Sequence, residues 1–117
     1  MISLVVRVRI RLKAKGTGKE KELVVLANGG AESPAPCIVV DPETAEEIGL
    51  WPATEAEVYS VEEVSHTTDV FVIRGAVELE LMDIEEDRVL SRVNADLVIQ
   101  NNIMEPLITD ITIDELG

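Results

Sequence analysis

The sequence predicts a mostly β fold, a small closed β-barrel or folded sheet with one or two short helices. Apolar and charged residues alternate with a period of two in several segments, as they do in strands that bury one face. Helix signals occur in two short segments, one central and one at the end of the chain. No repeat or linker interrupts this pattern, so we expect a single domain over residues 1–117.

The first strand is predicted over residues 2–13, where the alternation is strictest near the end. The apolar positions are Val6, Val8, Ile10 and Leu12, and the charged positions are Arg7, Arg9, Arg11 and Lys13. Residues 15–19 indicate a hairpin loop, after which residues 22–27 return as the second strand.

The central helix is predicted over residues 42–48, directly after a short buried strand at residues 37–40. Asp41 is the expected N-cap, and Pro42 the first helical residue, where a missing N–H costs no hydrogen bond. Gly49 is a typical end of such a helix.

A hairpin is predicted next, with residues 55–64 and 69–73 as its arms and a connection near residues 62–68. Gly75 is expected to break the second arm. A further strand then follows, in which Val77, Leu79 and Leu81 alternate with Glu78, Glu80 and Met82.

The last part of the chain is predicted to contain a turn at residues 85–87 and one or two strands over residues 89–93 and 95–99. A short terminal helix follows, which we expect to be capped by Asp110 and to end at Gly117.

Composition restricts the class of protein. Hydrophobic residues make up 46% of the chain and the mean hydropathy is +0.17, values typical of a globular protein. Cys37 is the only cysteine, so no intramolecular disulfide can form, which favours a reducing, cytoplasmic location. No apolar run approaches the roughly 18 residues of a membrane span, so we expect no membrane partner.

Charge is distributed unevenly along the chain. Seven of the ten basic residues lie in the first 21 positions, where Glu20 is the only acid, although the whole chain carries a net charge of −13. This net charge argues against nucleic acid as the main partner, because phosphate contacts need a positive face. The basic segment could contact RNA, but we expect it to be a strand face lying against acidic surface of its own fold or of a second subunit.

The functional prediction depends on residues 23–33. An apolar strand here runs into a turn formed by Asn28, Gly29 and Gly30. Two glycines can adopt positive φ and allow other backbone to approach closely, which the loops of binding and catalytic sites often require.

Three segments, in this order, resemble the retropepsin-like aspartic proteases, the single-lobe relatives of the retroviral proteases. Residues 25–33 match the apolar strand and the Asp-Thr/Ser-Gly-Ala loop that carries the catalytic aspartate of the family. Residues 38–50 match its strand, proline and helix ending in Leu-Gly-Leu, here Ile-Gly-Leu. Residues 105–117 match a Pro-Leu-Ile-Gly-like segment before a short helix ending in Leu-Gly. Together these segments and the hairpin between them cover nearly the whole chain.

The resemblance implies a closed β-barrel that forms a homodimer, with one site loop from each subunit at the two-fold interface. It implies a flap hairpin over the cleft, here around residues 58–70, which makes His66 a candidate binding residue. Ala31, in the site loop, is a second candidate. Thr109, which stands at a glycine of the family beside that loop, is a third.

Aligning Gly30 and Ala31 on the Gly-Ala of the family places Asn28 at the catalytic aspartate and Gly29 at the Thr/Ser. A shift by one residue would place Ala27 there instead. Aspartic proteases use two carboxylates that share one proton, and a pair of neutral amides cannot accept a proton from water. The resemblance therefore predicts a non-catalytic protein that binds an extended peptide or protein segment in the interface cleft.

Two alternatives remain open. The chain could be an active aspartic endopeptidase whose site is misregistered or modified, for example by deamidation of Asn28, because an Asn followed by Gly is prone to that reaction. It could instead be a purely structural assembly module.

No other residues predict a catalytic or metal site. Neighbouring Ser65 and His66 are expected to face opposite sides of an extended strand, which excludes a Ser-His pair. Cys37, at the start of an apolar strand, is expected to be a buried small hydrophobe. The acids of residues 83–87 do not match a calcium loop, so we expect neither a metal nor a cofactor.

Overall fold

The computed structural model describes residues 5–62 and 64–117. These residues form seven strands and two short helices. In chain order they are β1 (Arg7–Ala14), β2 (Glu20–Ala27), β3 (Cys37–Val40), α1 (Pro42–Glu47), β4 (Glu57–Glu62), β5 (Thr67–Met82), β6 (Val89–Gln100), β7 (Leu107–Ile108) and α2 (Asp110–Leu116). The prediction of a mostly β fold with two short helices is confirmed.

The strands form one sheet in the order β1-β2-β7-β3-β6-β5-β4, and β1 also pairs with β5. The pairings of six strands therefore close into a ring, and β4 lies outside it, paired with β5. Most neighbours are antiparallel, but β2 with β7 and β3 with β6 are parallel. The parallel pairs bring distant parts of the sequence side by side.

The core lies within the ring and is aliphatic. Its fully buried side chains include Ile10, Leu12, Ile38, Leu97 and Ile108. Burial of each such side chain stabilises the fold by about 1.5–3 kcal/mol of transfer free energy. Two of the few aromatic residues cover one side of this core, Trp51 and Phe71, whose ring centroids are 5.0 Å apart in an edge-to-face contact.

The first two strands and the turn between them are confirmed. Ile10, Leu12 and Ala14 of β1 are buried, as the alternation predicts. The alternation places Val6 on the same buried face, and this is wrong: Val6 precedes β1 and is half exposed. Residues 2–4 of the predicted strand lie outside the described residues.

The central helix also follows its sequence signals. Asp41 caps α1 by accepting a hydrogen bond from the Thr44 N–H at 2.8 Å, and Pro42 opens the helix. Gly49 adopts a φ of +78° just beyond the helix, a conformation that other residues rarely tolerate.

Gly75 does not end a strand, contrary to prediction. The strand β5 continues through it for 16 residues, and the irregularity is a bulge between Ile73 and Val77, where Gly75 has a φ of +58°. Pairing with β6 on both sides of the bulge keeps the strand continuous. The predicted connection at residues 62–68 is shorter than expected, since β4 reaches Glu62 and β5 begins at Thr67; Glu63 lies outside the described residues.

The outer face of β5 holds an unexpected buried carboxylate, that of Glu80. The alternation predicts Glu80 on a charged face, and its register places it between Arg11 of β1 and Arg92 of β6. Arg92 Nε donates to Glu80 Oε2 at 2.7 Å and Arg11 Nη1 to Oε1 at 3.3 Å, while Lys13 Nζ lies 3.5 Å from Oε1. Glu80 is only 1% exposed, so its carboxylate meets these three cations and almost no solvent.

The end of the same strand also departs from the prediction. Met82 is buried and Leu81 only partly so, the reverse of the expected alternation. The cause is a register shift between these two residues in the pairing with β6.

The basic residues of β1 and β2 lie against acidic surface of the same chain, one of the two outcomes expected. Arg7 pairs with Glu105 at 2.9 Å, and Arg9 pairs with Glu22 at 2.8 Å. Lys21 also contacts Glu47. The pKa of Glu22 is lowered by its hydrogen bond with Arg9, despite partial burial. The positive charge of this part of the sheet is therefore largely compensated within the fold.

Glu80→Gln should destabilise the protein more than a change at the neighbouring Glu78. The amide keeps the shape but removes the negative charge among three cations, and we expect the free energy of unfolding to fall by about 2 kcal/mol at pH 7. Urea denaturation measures this. Glu78→Gln is the matched control and should stay within about 0.5 kcal/mol of the native chain.

The effect of Glu80→Gln should also depend on pH. Burial raises the pKa of Glu80, but the hydrogen bond from Arg92 and the charges of Lys13, Arg92 and Arg11 outweigh it, so the pKa lies below its ordinary value. The carboxylate therefore stabilises the fold above that ordinary value, and this contribution is lost as the pH falls through the lowered pKa. If the native chain and the variant differed by the same free energy of unfolding at pH 7 and at pH 2.5, this assignment would be contradicted.

Candidate functional site

The candidate site loop begins where β2 ends, and its backbone is held by β7. The Asn28 N–H donates to the Ile108 carbonyl at 3.0 Å. The Asn28 side chain turns back onto its own loop, where Oδ1 accepts a hydrogen bond from the Gly30 N–H at 3.1 Å. The Asn28 carbonyl accepts a second bond, from the Ala31 N–H at 3.1 Å. The amide thus closes a local turn, a common role of Asn at such positions.

The two glycines of this turn are not required by the fold of the single chain. Neither Gly29 nor Gly30 has a positive φ, so the expectation based on that conformation is wrong here. A Cβ added at Gly29 would have no atom of the described residues within 4 Å, and one at Gly30 would meet only Asn28 Oδ1 at 3.5 Å. Both glycines are exposed. The surface beside them is therefore open.

A chain of hydroxyl groups braces the far side of the loop. Thr109 Oγ1 lies 2.7 Å from Ser33 Oγ and 2.9 Å from Thr112 Oγ1, and the Asp110 N–H donates to the Ala31 carbonyl at 3.0 Å. Thr109 and Thr112 are both buried. The structure therefore brings Asn28, Gly30, Ala31 and Thr109 into one assembly.

The hydroxyl chain extends to the start of β3. Thr112 Oγ1 accepts a hydrogen bond from the Cys37 N–H at 2.8 Å and donates one to the Cys37 carbonyl at 3.1 Å. Cys37 Sγ lies 3.8 Å from Thr109 Oγ1 and is buried, in agreement with the expected structural role of this residue. Loop, strand and terminal helix are thus joined through buried side chains.

Asp110 is not the cap of the terminal helix, contrary to prediction. The N-cap of α2 is Thr109, and Asp110 is the first helical residue. The Thr109 side chain makes no capping hydrogen bond, because its hydroxyl contacts Ser33 and Thr112 instead. An acid at the first helical position still favours the helix through its dipole.

The predicted hairpin is formed by β4 and β5, and His66 lies in its exposed turn. His66 Nδ1 is 3.2 Å from Ser65 Oγ, so the expectation that these neighbours face opposite sides is wrong. The reason is that Ser65 occupies a bend and not an extended strand. Both side chains are exposed at the tip, whereas the loop of Asn28 lies at the end of β2.

A cavity of about 340 Å³ lies between the segment after the site loop and the hairpin; we call it the hairpin cavity. Its walls are mainly apolar and come from three parts of the chain. They include Pro34 and Ala35 of the loop, Tyr59 and Val72 of the hairpin, and Asp96 and Val98 of β6. Sequence reasoning did not identify this cavity.

Arg74 organises the rim of the hairpin cavity. Its guanidinium donates to Glu57 at 3.0 Å, to Asp96 at 3.2 Å and to the Tyr59 hydroxyl at 3.1 Å. These three hydrogen bonds, with the largest contribution from Glu57, raise the pKa of Arg74, and the hydrogen bonds from Tyr59 and Arg74 lower that of Glu57. Asp96 also accepts from the Gly75 N–H at 2.7 Å, so it holds the bulge at the base of the hairpin.

The site as a whole is suited to binding. The residue at the centre of its loop is a neutral amide that is engaged in a turn, and an apolar cavity with a polar rim lies nearby. Within residues 5–62 and 64–117, no group of three or more His, Cys, Asp or Glu side chains is placed to hold a metal ion. Among the same residues, no helix is both long and apolar enough to cross a membrane.

Thr109→Val should weaken the bracing of the site loop. The substitution keeps the shape but removes the hydroxyl shared by Ser33 and Thr112, which should cost about 1–2 kcal/mol of unfolding free energy. Hydrogen exchange at the Ala31 and Asp110 amides should accelerate more than the global loss of stability explains. Thr67→Val, at an exposed position of β5, is the control; equal acceleration in both variants would contradict the bracing role.

Comparison with known proteins finds no family model that matches this chain, and no match among curated proteins. The function is therefore inferred from the residues and the geometry described above.

Proposed function

We propose that this chain is a non-catalytic, retropepsin-like domain that forms a homodimer and binds an extended peptide or protein segment in the cleft between its subunits. The observation that carries the proposal is Asn28. It stands at the position that the resemblance assigns to the catalytic aspartate, and its side chain closes a turn.

The proposed fold is supported by the contacts among the three segments that carry the resemblance. They are far apart in sequence, yet β7 pairs with β2 on one side and with β3 on the other. The Asn28 N–H and the Ile108 carbonyl join the first segment to the third directly. The ring of six paired strands is what a closed barrel of this family would require.

We expect the domain to be inactive because of the chemistry of the Asn28 amide. A general base must accept a proton from water, and an acid partner must return one, which two close carboxylates do by sharing a proton. An Asn side chain has no acidic proton to share, and Oδ1 of Asn28 already accepts from Gly30. A pair of Asn28 side chains across a two-fold axis could bind a polar backbone but could not activate water.

The open surface at Gly29 and Gly30 supports the dimer. Small residues at an exposed turn allow a second copy of the loop to approach closely, and nothing else in the described chain needs them to be small. A single-lobe domain has half of a cleft, so a two-fold dimer would complete it.

The hairpin supports the mode of binding. All six residues of β4 are exposed, and extended peptides often bind by adding a strand beside such an edge. The proposed location is a reducing one, the cytoplasm, because Cys37 is a free, buried thiol.

Gly29→Leu should abolish the dimer and leave the fold of the subunit intact. The position has normal φ and free space, so the domain should keep its unfolding free energy within about 0.5 kcal/mol, while the new side chain blocks the approach of the second loop. Sedimentation velocity should show a dimer for the native chain and a monomer for the variant. Gly16→Leu is the matched control, because Gly16 lies in a turn with equally open space. A native chain that is monomeric at micromolar concentration, or a Gly29→Leu dimer, would contradict the proposal.

Binding without turnover is the second expectation. Labelled unfolded peptides should bind saturably, and an unfolded protein substrate should stay uncleaved between pH 3 and pH 7, because the site loop carries the amide of Asn28 where the aspartic proteases carry a carboxylate. Peptide mapping of the same sample checks for a 1 Da mass increase at Asn28. Cleavage by unmodified protein that is blocked by a hydroxyl-containing transition-state mimic would favour an active peptidase instead.

A further inference from the structure

The hairpin cavity has room for an apolar side chain and an apolar lining that suits one. Its volume of about 340 Å³ is at the lower end for ligand sites, and Val72, Val98, Pro34 and Ala35 form much of its wall. An aliphatic side chain of an extended segment could fill it without leaving a buried polar group unpaired.

The cation at the rim of this cavity is already neutralised. Arg74 lies between Glu57 and Asp96, at 2.9 and 3.2 Å, so these three groups together carry a net negative charge. An acidic ligand would have to compete with both carboxylates for the guanidinium. The rim therefore favours a ligand that brings positive charge.

The segments around the cavity carry the same sign of charge. These segments are residues 32–37, the described residues of the hairpin and its approach (55–62 and 64–74), and position 96. Arg74 is the one Lys or Arg among them. The acids of these segments are Glu32, Glu55, Glu57, Glu62, Asp69 and Asp96. The basic residues of β1 and β2 do not offset this field, because most of them pair with acids of their own face. A surface with this negative potential attracts and orients cations.

The free edge of β4 gives such a ligand a place to bind. Among the strands that the structure describes, β4 pairs with β5 alone and ends the sheet. Tyr59 of β4 lines the cavity, and side chains alternate along a strand, so every second residue of an added strand would face the cavity side. A second copy of β4 is a poor occupant, because its own Glu57 and Glu62 would bring like charges together.

We propose that the extended segment bound by this domain is a basic, unfolded protein segment, which adds a strand to β4 and inserts one aliphatic side chain into the hairpin cavity. This inference rests on the proposed function and names the class of its partner. Lysine and arginine side chains of the segment lie against the acids of the hairpin and the loop, and the aliphatic side chain fixes the register.

Three labelled peptides of 12 residues test the inference by fluorescence anisotropy at pH 7. The first alternates Lys with Ser around a central Leu, the second replaces each Lys by Glu, and the third replaces the Leu by Ser. The first should bind at least tenfold more tightly than the second, because of the charge, and about tenfold more tightly than the third, because of the buried Leu. Its affinity should fall as salt rises.

Two double variants locate the binding surface. Glu32→Gln with Glu62→Gln should reduce the affinity for the basic peptide about fivefold, because both acids belong to the segments that supply the cavity wall: Glu32 precedes Ser33, and Glu62 ends β4. Glu43→Gln with Glu46→Gln removes the same net charge from exposed positions of α1 and should leave the affinity unchanged. Circular dichroism confirms that both variants are folded.

The outcomes separate this inference from the proposed function. Equal binding of the basic and acidic peptides would overturn the basic partner and leave a peptide-binding cleft in place. Equal weakening by both double variants would overturn the hairpin cavity as the site, since net charge alone would then explain the attraction. Binding of none of the peptides would overturn both proposals.

Discussion

The structure depends on a strand of only two residues. Leu107 and Ile108 pair in parallel with β2 and antiparallel with β3, so β7 fills the gap between two strands that would otherwise expose unpaired edges. Its proline neighbour, Pro106, lies just before the strand and still contributes a carbonyl, to which the Leu26 N–H donates. The ring closes through this strand, and the position of the site loop follows from it.

The same strand explains why the loop of Asn28 is held so firmly. The backbone of Asn28 is bound to Ile108, and the next residue, Thr109, begins the hydroxyl chain to Ser33 and Thr112. Three consecutive residues, 108–110, therefore contact the loop on successive sides. A turn that is braced in this way presents its glycines and its amide in a defined orientation, which suits a binding site.

Charge divides the molecule into two regions with different consequences. On the ring, cations of β1 and β6 surround Glu80, so the charges there contribute to the fold. On the hairpin, acids outnumber the one guanidinium, and the excess stays exposed to solvent. The net charge of −13 is therefore not spread evenly over the molecule.

Local patterns in the sequence determined much of the fold. Alternation predicted β1 and the strand that begins at Val77, the hairpin loop predicted the return of β2, and capping signals predicted α1 with its end at Gly49. These features depend on residues close in sequence. The order of motifs also directed attention to Asn28 and Thr109, which do lie in one assembly. Only the tertiary structure decided the rest, because the deciding contacts join residues far apart in sequence. A two-residue strand has no periodicity to detect, the burial of Glu80 depends on two neighbouring strands, and Tyr59, Arg74 and Asp96 meet only once the registers of β4, β5 and β6 are set.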